Sequence, residues 1–95
     1  MAPATLGETE AAAVALQGLA YVAGEPALLQ RLLDSSGISL EELRHRADEP
    51  ALLGGVLDFL LADESALLVF CESHGLAPDL PARARLALPG ALAHE

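Results

Sequence analysis

The stretch Glu49–Gly75, EPALLGGVLDFLLADESALLVFCESHG, is the most apolar part of the chain and decides the fold. Its first half carries apolar residues at a spacing that covers about 200° of a helical wheel, which is typical of a core helix rather than a surface helix. These residues are Leu52, Leu53, Val56, Leu57, Phe59, Leu60 and Leu61. The sequence therefore predicts a buried central helix over about residues 51–62.

Local signals mark both ends of this helix and the start of the next one. Pro50 suits a first helical turn, where its missing N–H has no partner to lose. Asp63 can cap a second apolar helix over about 64–73, and Gly75 can end that helix in a left-handed conformation. The stretch thus predicts two consecutive helices that the rest of the chain packs against.

Alanine and leucine dominate the remaining sequence, which favours helix because these side chains lose little freedom there. Capping signals predict four further helices, at about 6–22, 26–35, 40–47 and 80–88. In chain order, the residues that mark their N-termini are Thr5 with Glu8, Glu25 with Pro26, Ser39 with Glu42, and Asp79. Leu16 and Leu40 are among the expected inward positions. We predict an all-α fold, a compact bundle of five or six short helices around the central helix. It forms a single domain over residues 1–95, ordered at about 6–88 with loose termini.

The chain is 53% apolar, yet no apolar run reaches the roughly 18–20 residues that span a bilayer. Residues 11–23 have the length of the apolar part of an export signal. Glu8 and Glu10 precede them, however, where an export signal carries positive charge. We therefore expect a cytoplasmic protein that does not bind membranes, and the apolar surplus predicts a protein partner or a homodimer.

The net charge is −9, with five arginines and no lysine. An acidic body repels phosphate backbones, which disfavours nucleic-acid binding. The strongest contrary signal is the segment 28–46, which resembles a helix-turn-helix because Gly37 lies in its turn and Arg44 and Arg46 lie on its second helix. Since Glu41 and Glu42 occupy the turn that would face bases, a nucleic-acid-associated regulator is only the second hypothesis.

No residue set predicts catalysis, cofactor binding or a metal site. Cys71 and His74 could meet on one helix face, but no orienting group or oxyanion site accompanies them. The single cysteine excludes an internal disulfide and is expected to be a buried structural thiol. His45, His74 and His94 lie on separate elements without zinc-ligand spacing. A small enzyme is therefore the third hypothesis, with no catalytic residue and no cofactor assigned.

One arc of the central helix differs from the rest and is the only candidate site. Its small or polar residues fall within about 100° of the wheel. They are Ala51, Gly54, Gly55, Asp58 and Ala62. Either this strip is a solvent face, or its missing side chains let another helix approach, from this chain or from a partner. We favour the second interpretation, so the leading hypothesis is a non-catalytic protein-interaction module, adaptor or regulatory.

The order of these segments resembles a family of short bacterial proteins known as a domain of unknown function, number 3572. The similarity covers about residues 12–88. Its most telling pieces are Ala15-Leu16-Gln17, Gly37-Ile38, Asp48-Glu49-Pro50, Val56-Leu57-Asp58, Leu60-Leu61-Ala62-Asp63-Glu64 and Gly75-Leu76. Near residues 78–81 the chain departs from the family pattern. The resemblance implies a small helical bacterial protein and supplies no activity, ligand or catalytic residue.

Overall fold

The computed structural model describes residues 6–88, which form six α-helices and no strand. The helices are α1 (Glu8–Ala23), α2 (Pro26–Ser36), α3 (Leu40–His45), α4 (Pro50–Leu61), α5 (Glu64–His74) and α6 (Leu80–Leu86). The predicted all-α fold is confirmed, and the predicted helices agree with these bounds to within about two residues at each end. The expectation of loose termini lies outside the described residues.

Two of the predicted helix caps are present in the structure. The Ser39 hydroxyl accepts a hydrogen bond from the Glu42 backbone N–H at 3.0 Å, and the Asp63 carboxylate accepts one from the Ala66 backbone N–H at 3.2 Å. Each bond satisfies an N–H group that has no partner inside the helix. Proline occupies the first turn of α2 and of α4, as the Glu-Pro pairs predict.

Two other predicted helix starts are wrong in detail. Helix α1 begins at Glu8, two residues later than expected, because the Gly7 backbone N–H donates to the Glu10 carboxylate at 2.9 Å and this pair forms the first turn. Thr5 itself lies outside the described residues. Asp79 does precede α6, but its side chain makes no capping hydrogen bond, and its carboxylate lies 3.9 Å from the Arg83 guanidinium instead.

Gly37 and Gly75 end α2 and α5 in the left-handed conformation that the sequence predicts. Their φ angles are 77° and 67°. These positive values strain a residue that has a Cβ atom, whereas glycine adopts them readily. After Gly75 the Leu76 backbone N–H donates back to the Cys71 carbonyl at 2.8 Å, which closes the last turn of α5. At each of these glycines the helix ends and the chain changes direction.

The core consists of two clusters on either side of α4. The first lies among α1, α2, α3, α4 and α5 and contains Leu19, Val22, Leu32, Leu43, Val56, Leu60, Ala66, Phe70 and Cys71. The second lies among α1, α4 and α6 and contains Ala11, Val14, Ala15, Leu53, Leu57, Ala84 and Leu88. Since α4 contributes fully buried residues to both clusters, it is the buried central helix that the sequence predicts.

Helix α1 shares this central position, which was not predicted from the sequence. It packs against α4, α6 and α2, and Gly18 lets it approach α4 closely, since a Cβ atom there would lie 2.9 Å from Leu60 Cδ1. The expected inward positions of Leu16 and Leu40 are wrong: 44% and 36% of these residues are exposed. Leu16 lies about 130° around the wheel from the centre of the buried face of α1, so α1 turns it to solvent.

No single helix among residues 6–88 is both long enough and apolar enough to cross a bilayer. Helices α1 and α2 reach the necessary length and composition only when taken together, and they meet at a bend of 114°.

Candidate functional site

The strip of small residues on α4 divides between two environments. Gly54 is buried and lies under α6, where a Cβ atom on it would be 2.8 Å from Nη1 and 3.0 Å from Cζ of Arg85. Asp58, one turn further along, accepts a hydrogen bond from Arg85 Nε at 2.7 Å. Ala51 and Ala62 are exposed. One edge of the strip is therefore an internal contact between α4 and α6.

The other edge of the strip faces an open groove. A Cβ atom on Gly55 would have no neighbour within 4 Å among the described residues, 6–88. The groove lies between α4 on one side and α2, the α2–α3 turn and α3 on the other, with a volume of about 410 Å³. Its lining residues are Leu32, Ser35, Ser36, Ile38, Leu43, Leu52, Gly55, Val56, Asp58, Phe59 and Ala62. Gly55, Asp58 and Ala62 thus belong both to the predicted strip and to the groove.

The groove follows α4 for most of its length. The lining positions Leu52, Gly55, Phe59 and Ala62 recur every three or four residues and span about 15 Å at 1.5 Å per residue. Leu52 and Phe59 are half-buried, so their apolar surface remains accessible from the groove, while Gly55 and Ala62 contribute almost no side chain. The groove is therefore an elongated apolar channel, and the small residues Gly55 and Ala62 form its base.

Among residues 6–88, only one of those that line the groove is charged. Asp58 carries that charge, and 59% of its side chain is exposed even though one carboxylate oxygen bonds to Arg85. Beside Phe59, the Arg31 guanidinium lies 5.6 Å from the ring centroid and 3.0 Å from the Asp63 carboxylate. Arg31 is therefore already engaged by a ring and a carboxylate, and Asp58, which pairs with Arg85 through one oxygen, is the charged residue that remains accessible from the groove.

Asp63 joins two roles at the end of α4. The hydrogen bond from the Ala66 backbone N–H, followed by the bond from Arg31, lowers the pKa of the Asp63 carboxyl below its ordinary value. This carboxylate starts α5 and also ties it to Arg31 of α2. It thus links α2 to the start of α5, directly after the end of α4, at one end of the groove.

The helix-turn-helix-like segment 28–46 corresponds to α2, the turn at Gly37 and a short α3 of six residues. Arg46 lies 2.9 Å from the Glu49 carboxylate and 3.4 Å from that of Glu42, so its charge is matched locally. Arg44 is exposed and pairs with no carboxylate among residues 6–88. It borders a smaller apolar pocket of about 230 Å³ between α1, α2 and α3.

Cys71 is buried, and burial raises the pKa of its thiol, which keeps the sulfur protonated and unreactive at neutral pH. The His74 ring packs on Phe70 at 4.9 Å between centroids, and Tyr21 packs on the same ring at 5.7 Å. His74 therefore extends an aromatic cluster. Within residues 6–88 no group of three or more His, Cys, Asp and Glu side chains could hold a metal ion.

Three residues of the predicted strip, Gly55, Asp58 and Ala62, line the α4 side of the groove, whereas the opposite side was not predicted. The opposite side includes Ser35, Ser36 and Ile38, which were not assigned to any site from the sequence. Arg85 was not connected with Gly54 or Asp58. The sequence carries no local signal for that contact, because Arg85 lies 27 positions after Asp58, beyond the reach of any helical periodicity.

Comparison with curated proteins and with solved structures gives no match for this chain. A match to a protein family covers residues 8–91 and therefore most of the chain. It includes all six helices and both walls of the groove. The chain belongs to the family described as protein of unknown function DUF3572.

Proposed function

We propose that this protein is a non-catalytic interaction module that binds an α-helix of a protein partner in the groove along α4. The observation that carries the proposal is the shape of the groove: an apolar channel about 15 Å long, parallel to a helix and floored by Gly55 and Ala62. Helices that dock into such grooves insert apolar side chains at positions i, i+3 or i+4, and i+7. The groove matches about three turns of such a helix.

The small residues favour a helix over a compact small molecule. Packed helices lie roughly 8–10 Å apart, depending on the side chains at the contact, and the smallest side chains allow the closest approach. At Gly55 the surface of α4 is its own backbone, and the neighbouring apolar side chains of Leu52 and Phe59 rise on one side of it. An apolar side chain from a partner can enter at Gly55 and be covered by both.

A partner of different sequence fits this groove better than a second copy of the chain. Two copies each carrying a net charge of −9 repel one another at low ionic strength. A homodimer built on the groove is therefore an alternative outcome of the test below. We also infer a cytoplasmic location. It is supported by residues 11–23, whose length matches the apolar part of an export signal but which belong to the core helix α1.

The proposal is tested by filling the groove without disturbing the fold. Gly55→Leu places a side chain in open space, so the protein should fold, but the channel is blocked at its midpoint. Ala27→Leu is the matched control, since it adds similar bulk to an exposed position in the first turn of α2, on the side away from the groove. The probe is a helical peptide of roughly 14 residues, about four turns, with leucine on one face and glutamine on the other.

We expect the peptide to bind the wild type and Ala27→Leu alike, and at least tenfold more weakly to Gly55→Leu, measured by fluorescence anisotropy. Amide resonances of Gly55, Phe59 and Ala62 should shift on binding. Equal binding to all three proteins would overturn the proposal. If light scattering shows a wild-type dimer that Gly55→Leu dissociates, the groove binds a second copy of the chain and not a helix of another protein.

A further inference from the structure

We infer that the groove selects a helix that carries a basic residue beside its apolar face, and that Asp58 is the counter-charge that recognises it. This inference rests on the proposed function, since it names the chemistry of the partner that occupies the same groove. It comes from the position of a single carboxylate at the edge of a lining that is otherwise uncharged.

Asp58 keeps the capacity to bind a second cation. One oxygen of its carboxylate accepts from Arg85 Nε at 2.7 Å, while 59% of the side chain is exposed. A carboxylate offers about four acceptor sites on its two oxygens, so the bond to Arg85 leaves room for a donor that approaches from the groove. A lysine or arginine on a docked helix is such a donor.

Arg85 holds this carboxylate in place and does not itself fill the groove. Its side chain is only 11% exposed, because the guanidinium packs on the bare backbone at Gly54. A guanidinium held there orients Asp58 from the α6 side and leaves the opposite side open. The same glycine-to-arginine contact therefore positions the recognition residue before any partner arrives, which lowers the entropic cost of binding.

The net negative charge of the whole chain also favours a basic partner. Four of the five arginines, Arg31, Arg46, Arg83 and Arg85, lie within 4.0 Å of a carboxylate. Many carboxylates have no such neighbour among residues 6–88, including Glu25, Asp34, Glu41 and Glu64. The field outside the protein is therefore negative, and it attracts basic segments and repels acidic ones.

The experiment uses three peptides with the same leucine face and lysine, glutamine or glutamate on the other face. They are titrated at low and at near-physiological salt into the wild type, Asp58→Asn and Asp34→Asn. Asp58→Asn keeps an oxygen that can accept from Arg85, and circular dichroism checks that it is folded. Asp34→Asn is the matched control, because it removes the same net charge from the exposed side of α2, away from the groove.

We expect the lysine peptide to bind most tightly and the glutamate peptide least tightly, with differences that shrink as salt rises. Asp58→Asn should weaken the lysine peptide by about two- to fivefold, the range of an exposed ion pair, and Asp34→Asn by less. A second peptide tests the same contact without changing the protein: in it, only the lysine nearest Asp58 is replaced by glutamine. Its affinity for the wild type should fall by the same factor, and this result does not depend on the stability of Asp58→Asn.

Each contrary result addresses one of the two proposals. Equal binding of the lysine and glutamine peptides, or equal losses in Asp58→Asn and Asp34→Asn, overturns the basic-helix inference. In that case, if Gly55→Leu still abolishes peptide binding, the groove remains the docking site. Peptide binding that Gly55→Leu does not affect overturns the proposed function and the inference together.

Discussion

The guanidinium of Arg85 occupies the space that a side chain on Gly54 would need: a Cβ atom there would lie 2.8 Å from Arg85 Nη1. The neighbouring glycine, Gly55, has no atom of the described part of the chain within 4 Å of the same position. Two adjacent glycines on one helix therefore have opposite surroundings. One admits a side chain from α6, and the other leaves the groove open.

This contrast predicts different effects for the same substitution. Gly55→Ala should raise the free energy of unfolding by about 0.5–1 kcal/mol, because alanine loses less entropy in a helix and meets no neighbour. Gly54→Ala should be less stable than Gly55→Ala, because Arg85 must move and its bond to Asp58 is disturbed. Urea unfolding of the two variants measures the difference.

The control is the pair Arg85→Ala and Arg85→Ala/Gly54→Ala. With the guanidinium removed, Gly54→Ala should recover the stabilisation seen at Gly55. If Gly54→Ala matches Gly55→Ala already in the wild-type background, Arg85 imposes no constraint and our interpretation of the contact is wrong.

Gly18 should tolerate a side chain less well than either of these glycines. A Cβ atom there would lie 2.9 Å from Leu60 Cδ1 and 3.7 Å from Phe70 Cζ, and both residues are fully buried. Overpacking costs about 1–3 kcal/mol, which exceeds the gain of about 1 kcal/mol in helix propensity. We expect Gly18→Ala to destabilise the protein in urea unfolding.

Two further variants isolate the cause. Ala20→Gly, at an exposed position of α1, measures the helix-propensity term alone. Leu60→Ala makes room for the new methyl group, so Gly18→Ala should cost less in that background than in the wild type. The same cost in both backgrounds would show that close packing of α1 on α4 is not the reason.

The sequence predicts the helices well because their signals are local. The caps at Ser39 and Asp63 and the left-handed glycines Gly37 and Gly75 each depend on residues within about one helical turn. The buried face of α4 was also predicted, since a stripe about 200° wide leaves little choice of orientation.

The errors and omissions concern contacts between helices. Leu16 was expected in the core, but α1 is apolar on more than one face, and only the positions of α4 and α6 select which face is buried. The candidate site was half predicted for the same reason. The strip on α4 is visible in the sequence, whereas Arg85 and the α2 wall reach it only through tertiary packing.

The nucleic-acid hypothesis leads to a measurable expectation. Because Arg46 is matched by Glu42 and Glu49 and the domain is acidic, duplex DNA at about 0.1 M salt should bind more weakly than the roughly 10⁻⁴–10⁻⁶ M of non-specific DNA-binding proteins. Fluorescence anisotropy with a labelled duplex tests this. Micromolar binding that disappears in Arg44→Ala/Arg46→Ala would instead support a regulator that uses residues 28–46.

Asp63 should make the stability of the protein depend on pH in the acid range. The hydrogen bond from Ala66 and the pairing with Arg31 lower its pKa in the folded state relative to the unfolded value of about 3.9. The folded protein therefore binds this proton less readily than the unfolded chain does. The resulting stabilisation is fully present above about pH 4 and is lost as pH falls through the lower folded pKa.

Asp63→Asn tests this dependence because it keeps an oxygen that can cap α5 but removes the charge that pairs with Arg31. Thermal melting at neutral pH should rank the wild type above Asp63→Asn, and Asp63→Asn above Asp63→Ala, which loses the cap as well. The gap between the wild type and Asp63→Asn should close as pH falls below about 4 and the wild-type carboxylate becomes protonated at its lowered pKa. Asp48→Asn, which removes an exposed carboxylate that forms no ion pair among residues 6–88, is the matched control for the loss of one negative charge. A gap that stays constant over this range would mean that the charge of Asp63 does not link α2 to α5.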